Sequence, residues 1–82
     1  MKVYVLTSVK VTEGVLFPYE PKVFKTRDGA REMLKRIRDE ELIPEYVNIL
    51  GYKVVADVKD GFTAHLEYKD FVQLSITCTE IK

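Results

Sequence analysis

The sequence predicts an α+β domain of topology ββαβββ. Its five-stranded antiparallel sheet has the expected order 2-1-5-4-3, with one α-helix packed on one face. Three observations carry this. Only one stretch, Phe24 to Leu42 (FKTRDGAREMLKRIRDEEL), has a clear helical period, with Ala30, Met33, Leu34 and Ile37 at i, i+3, i+4 and i+7. Elsewhere the apolar residues recur with a period of two, in runs rich in β-branched and aromatic side chains. The last three runs are joined by short turn signals, which makes consecutive strands antiparallel. The whole chain, 1–82, reads as a single domain.

The first predicted strand runs from Val3 to Val11. Val3, Val5, Val9 and Val11 share one side, and Tyr4, Leu6, Ser8 and Lys10 the other. Apolar residues on both sides near its start mark a strand that is central or covered on both faces. Glu13 and Gly14 break it. Val15-Leu16-Phe17-Pro18-Tyr19 follows as an unusually apolar connection, and Glu20 to Lys25 reads as a short second strand. Pro21 makes that strand an edge, because proline cannot donate to a ladder, and Lys22 and Lys25 discourage pairing with another molecule.

Thr26 is the natural N-cap of the helix, since its hydroxyl can accept a free first-turn N–H. Asp28 complements the dipole there. Pro44 disfavours helical backbone at Ile43 and so predicts an end near Glu41. Ile43 to Gly51 then reads as one irregular helical turn closed by Gly51. The third strand is Tyr52 to Val58, the fourth Phe62 to Tyr68 and the fifth Phe71 to Ile81. Lys59-Asp60-Gly61 and Lys69-Asp70 supply the turns between them.

Alternation assigns the faces of this meander. Tyr52, Val54, Ala56 and Val58 join Phe62, Ala64, Leu66 and Tyr68, then Val72, Leu74, Ile76 and Cys78, as a floor under the helix. The reverse face carries Lys53, Asp57, Thr63, His65, Glu67, Gln73, Ser75, Thr77 and Thr79, the wet side of an antiparallel sheet.

Composition narrows the function classes. Thirteen basic and thirteen acidic residues cancel, which removes any general attraction to nucleic acid or to an anionic membrane. No stretch approaches the roughly 20 apolar residues of a membrane span. The N-terminal run is interrupted by Thr7, Ser8 and Lys10 too early for a signal peptide. A single cysteine supplies neither an internal disulfide nor a metal cluster and suits a cytoplasmic setting.

The VYVLTSVKV strand, the VFKTRDGAREML helix start, the DG turn, the aromatic-rich hairpin and the closing SITCTEI segment form a pattern. It resembles small uncharacterised proteins of bacterial and phage genomes that share an F-x-T-x-x-x-A-x-x-x-L helix start, matched here by Phe24, Thr26, Ala30 and Leu34. The resemblance covers most of the chain. It implies an accessory protein from a mobile element, and it transfers no catalytic or ligand residue.

The candidate chemistry is thin. His65 and Glu67, with Asp57 on the preceding strand, could form an acid–base or metal cluster, but a flat face offers no water-excluding pocket, so a cross-strand polar cluster is the preferred reading. Cys78, on the buried side, reads as a small hydrophobe. Asp28-Gly29 and Asp60-Gly61 lack phosphate-loop spacing. No cofactor and no small-molecule substrate are called for. Arg27, Arg31, Lys35 and Arg38 fall on one flank of the helix and give the alternative function, a weak nucleic-acid binder. Acidic neighbours favour a solvated face instead. The leading expectation is a non-enzymatic protein-interaction domain, with a protein partner or a second copy of itself. Its surface is expected where the two apolar connections meet, at Val15, Leu16, Phe17, Tyr19, Tyr46 and Ile49. If these residues only plug the core they should be buried; if they stay exposed they form a contact patch.

Overall fold

In the computed structural model, which describes residues 1–67 and 70–81, the chain forms one antiparallel sheet with a helical layer on one face. The strands are β1 (Lys2–Thr12), β2 (Val15–Pro18), β3 (Lys22–Phe24), β4 (Lys53–Val58), β5 (Gly61–Leu66) and β6 (Asp70–Glu80). The helices are α1 (Arg27–Ile37) and α2 (Arg38–Ile49). The α+β class and the antiparallel sheet are as expected. The strand count is six rather than five, and the order is β2-β1-β6-β5-β4, with β3 off that path against β1.

The extra strand is the segment expected to be a connection. Glu13 and Gly14 both have positive φ, 53° and 80°, as the two central residues of a type I′ turn do. That turn fixes Thr12 opposite Val15 and folds Val15–Pro18 back along β1 as a strand. Pairing continues past Pro18 to Tyr19, whose N–H bonds the Ser8 carbonyl; Pro21 then interrupts it before β3, where Phe24 lies opposite Tyr4. β2 and β3 thus share one edge of the sheet. β1 pairs along its length with β6, from Lys2 opposite Glu80 to Val11 opposite Phe71.

The helix begins as its residues predict. Thr26 has extended backbone, and the Gly29 N–H donates to its hydroxyl at 3.1 Å. Phe24, Ala30 and Leu34 of the helix-start pattern all face the core, so that pattern encodes packing. Pro44 does not end the helical segment. From Arg38 onward the chain winds as a π-helix with Pro44 inside it, and the Leu50 N–H donates to the Glu45 carbonyl at 3.1 Å. Proline in an α-helix clashes with the carbonyl four residues back; the wider winding relieves this crowding without stopping the helix. Gly51, at φ 79°, closes the segment.

The core lies between the helical layer and the sheet. Leu6, Leu34, Tyr52, Phe62, Ala64, Val72 and Leu74 form it, with Met33, Ile37, Leu42, Ile43, Tyr46, Val47 and Ile76 packed around it. The predicted floor holds for β5 and the middle of β6 but fails on β4. The register shifts between Val54 and Ala56, so Asp57, not Ala56, lies opposite Phe62 on the helix side. One bulged residue exchanges the two faces beyond it. Ala56 and Val58 therefore turn to the reverse face, and Leu66 and Cys78 are exposed, Cys78 beyond the cover of the helices. Tyr68, the remaining floor residue, lies outside the described residues, as does Lys69 of the turn.

Candidate interaction surface

The residues of β2 alternate between the two sides of the sheet, and this divides the expected patch. Val15 and Phe17 lie opposite Thr12 and Lys10 on the helix side, whereas Leu16 and Pro18 lie opposite Val11 and Val9 on the reverse side. Tyr19 follows, its N–H donating to the Ser8 carbonyl at 3.0 Å. Val15, Phe17 and Tyr19 remain about half exposed, at 54%, 48% and 55%. Such exposure exceeds what a core plug would show.

Tyr46 comes to the same corner from the other side. It is half-buried, stacked edge-on against Tyr52 with ring centroids 5.1 Å apart, and its carbonyl accepts the Tyr52 N–H at 2.8 Å. Lys10 stands between the two apolar segments, its Nζ 5.9 Å from the Phe17 ring and 5.9 Å from the Tyr46 ring. These are cation–π distances. The Tyr46 phenol raises the pKa of the Lys10 ammonium above the ordinary lysine value. Lys10 makes no ion pair among the described residues.

Behind this corner a groove of about 230 Å³ runs between the helices and β1. Leu6, Val72 and Leu74 form its apolar floor; Lys10 and Lys22 border it on the strand side, and Glu41 and Glu45 on the helix side. Tyr19 and Tyr46 line it together, so the segments 15–19 and 43–50 do meet. Ile49 is not part of this cluster. It ends α2 at 77% exposure, outside the groove lining.

The basic flank of the helix is mostly engaged. Arg31 donates to both Asp60 carboxylate oxygens, at 2.6 and 3.3 Å, and Arg27 reaches the same group at 3.5 Å. Arg38 binds Asp39 and, across the bulge, Asp57, both at 2.9 Å. Hydrogen bonding from Arg31 lowers the Asp60 pKa, and hydrogen bonding from Arg38 lowers that of Asp39. Only Lys35 of the four makes no ion pair among the described residues. These contacts tie the helix to the β4–β5 hairpin and take three of the four cations away from any phosphate.

The triad of His65, Glu67 and Asp57 does not assemble. His65 lies opposite Phe71 on the reverse face, Asp57 faces the helix, and Glu67 lies past the end of β5 with φ at 58°. A depression does surround His65, lined also by Lys53, Thr63, Glu67, Phe71 and Gln73, so His65 and Glu67 share it while Asp57 is not part of it. Among the described residues no group of three His, Cys, Asp or Glu side chains is placed to hold a metal ion, and no helix is long and apolar enough to cross a membrane.

The sequence signal missed was the glycine of Glu13-Gly14. Read as the second residue of a two-residue hairpin loop, it would have placed Phe17 beside Lys10. No family model, curated protein or solved structure matches the chain.

Proposed function

We propose that the protein is a non-enzymatic accessory domain that works in the cytoplasm by binding another protein at the corner between β2 and α2. One observation supports this above the rest: Val15, Phe17 and Tyr19 project half-exposed from an edge strand, and Lys10 sits between Phe17 and Tyr46 without a carboxylate partner among the described residues. Aromatic anchors beside a charge that a partner would pair and cover are what concentrates binding energy in protein interfaces. The occupant that fits is a polypeptide segment that lays apolar side chains along Tyr19 and the groove floor and presents an Asp or Glu to Lys10. Pro18 leaves β2 one donor short along its edge, so side-chain contacts rather than strand addition would carry the affinity. A mobile-element origin, implied by the resemblance of the helix start, would suit a small accessory protein of this kind.

The test is co-purification from the source cell followed by binding of the isolated partner. The reading expects a partner whose affinity falls at least about tenfold for Phe17→Ser with Tyr46→Ser, and falls again for Lys10→Ala, while Lys35→Ala binds like wild type. A partner bound equally by all these variants would exclude the corner as the contact.

A further inference from the structure

The reverse face of the sheet is nearly free of charge. The strand registers place Val3, Val5, Thr7, Val9 and Val11 of β1 on it, beside Phe71, Gln73, Ser75, Thr77 and Thr79 of β6. Leu16 and Pro18 extend it across β2, Val23 across β3, and Thr63 and His65 across β5. Lys53 is its one formally charged side chain among the described residues of the strands. The chain has thirteen basic and thirteen acidic residues, so this face has been spared them. The bulge on β4 contributes directly, because it takes Asp57 off this face and delivers Ala56 and Val58 to it. Both helices pack on the other side, and Val3, at 5% exposure, is the one residue of this face that is buried among the described residues. Leu16, Val23 and Val58 are 58%, 62% and 62% exposed.

We infer that this face packs against the same face of a second copy of the chain, sheet on sheet, about a two-fold axis. Charge is compatible with a second copy. Among the described residues the titratable groups of this face, Lys53, His65 and Glu67, gather at one end around β4 and β5, so the rest of it can meet its own copy without like charges opposed. Area agrees. The eleven-residue strands β1 and β6, with β2 and β3 on one side and the six-residue β5 and β4 on the other, give on the order of 650 Å², at the lower end of the roughly 600–1,000 Å² that each partner of a stable complex buries. Shape agrees as well. The middle of the face is Thr7, Ser75 and Gly61, small side chains that permit the usual sheet separation of about 10 Å. The Thr7 and Ser75 hydroxyls already bond each other at 2.8 Å, so they reach the interface with a hydrogen bond made. Valines 5, 9 and 11 with Leu16 and Phe71 then form the apolar part, which explains why β1 is apolar on both sides. This surface is separate from the corner at Lys10, and the inference stands whether or not that corner binds a partner.

Sedimentation of the whole chain from micromolar to millimolar concentration tests it. The wild type should approach the mass of two chains. Thr7→Lys with Gln73→Lys, both exposed sites, should raise the dimer dissociation constant at least about tenfold through like charges facing each other. Mixing that variant with Thr7→Glu, Gln73→Glu should restore a dimer, and Phe17→Ser with Tyr46→Ser should leave dimerisation unchanged. Should the lysine variant fail to fold, methyl resonances of the wild type followed on dilution give the same information: those of Val9, Val11 and Leu16 should shift, and those of Val15 and Ile49 should not. A wild type monomeric throughout, lysine variants that dimerise as well as wild type, or dilution shifts confined to Val15 and Ile49 would each overturn the inference.

Discussion

Leu74→Ala probes the packing that sets every other feature in place. Leu74 is 1% exposed and lies between Ser8 and Phe62 on the helix side of the sheet. Leu6, Leu34 and Phe62 share its cluster, and the backbone beneath it is held by strands on both sides. The site therefore cannot collapse to fill the space left by the missing carbons. Leucine-to-alanine changes at such sites cost about 2–5 kcal/mol, and a rigid floor puts this one near 3–4 kcal/mol. An 82-residue domain has only about 4–12 kcal/mol of stability, so the loss is a large part of the whole. With a urea dependence of about 1–1.5 kcal/mol per molar, the denaturation midpoint should fall by roughly 2–4 M. Circular dichroism against urea reads it directly. A midpoint within about 0.5 M of wild type would mean that this side of β6 does not face the helices and that the sheet has been assigned the wrong way up.

Other outcomes follow from single contacts. Ile37→Ala, at a half-buried site, should cost less than Leu74→Ala, about 1–2 kcal/mol in the same titration, while Lys35→Ala should stay within about 0.5 kcal/mol. Glu13→Asn should raise the thermal midpoint by about 2–4 °C, because asparagine tolerates the positive φ of that turn position better than glutamate, and the backbone N–H bond to Asp70 at 2.7 Å is kept. The Asp60 carboxyl is held below the usual carboxylate range by Arg31, so its contribution is present above about pH 4 and is lost as pH falls through the lower folded value. Asp60→Asn should accordingly flatten the acid limb of stability against pH there, by no more than about 1 kcal/mol since the pair is over a third exposed on the Asp60 side.

What the sequence made legible was local and periodic. Thr26, Ala30 and Leu34 announced the helix start, its cap and its buried face, and the alternation of β5 and β6 announced the floor. Three features escaped that reading for physical reasons. A bulge leaves no trace in a two-residue period until the register is known, so Asp57 was expected on the wrong face. A proline signals a stop only where the winding is α-helical, and here the chain changes its winding instead. Val15–Pro18 was too short and too proline-marked to register as a strand, and only the Glu13-Gly14 turn reveals it. The near absence of charge from the reverse face was present in the sequence, but threonine and serine in alternation look like ordinary solvation until strand neighbours are fixed.

The central proposal is that a protein partner binds at the corner of Phe17, Tyr19 and Lys10. Site-specific photo-cross-linking in the source cell tests this most directly, with a photoreactive phenylalanine at Tyr19 in one variant and at Lys35 in another. The account predicts a discrete adduct at Tyr19 that Lys10→Ala suppresses, and none at Lys35. Adducts of equal yield at both positions, or at Lys35 alone, would contradict it.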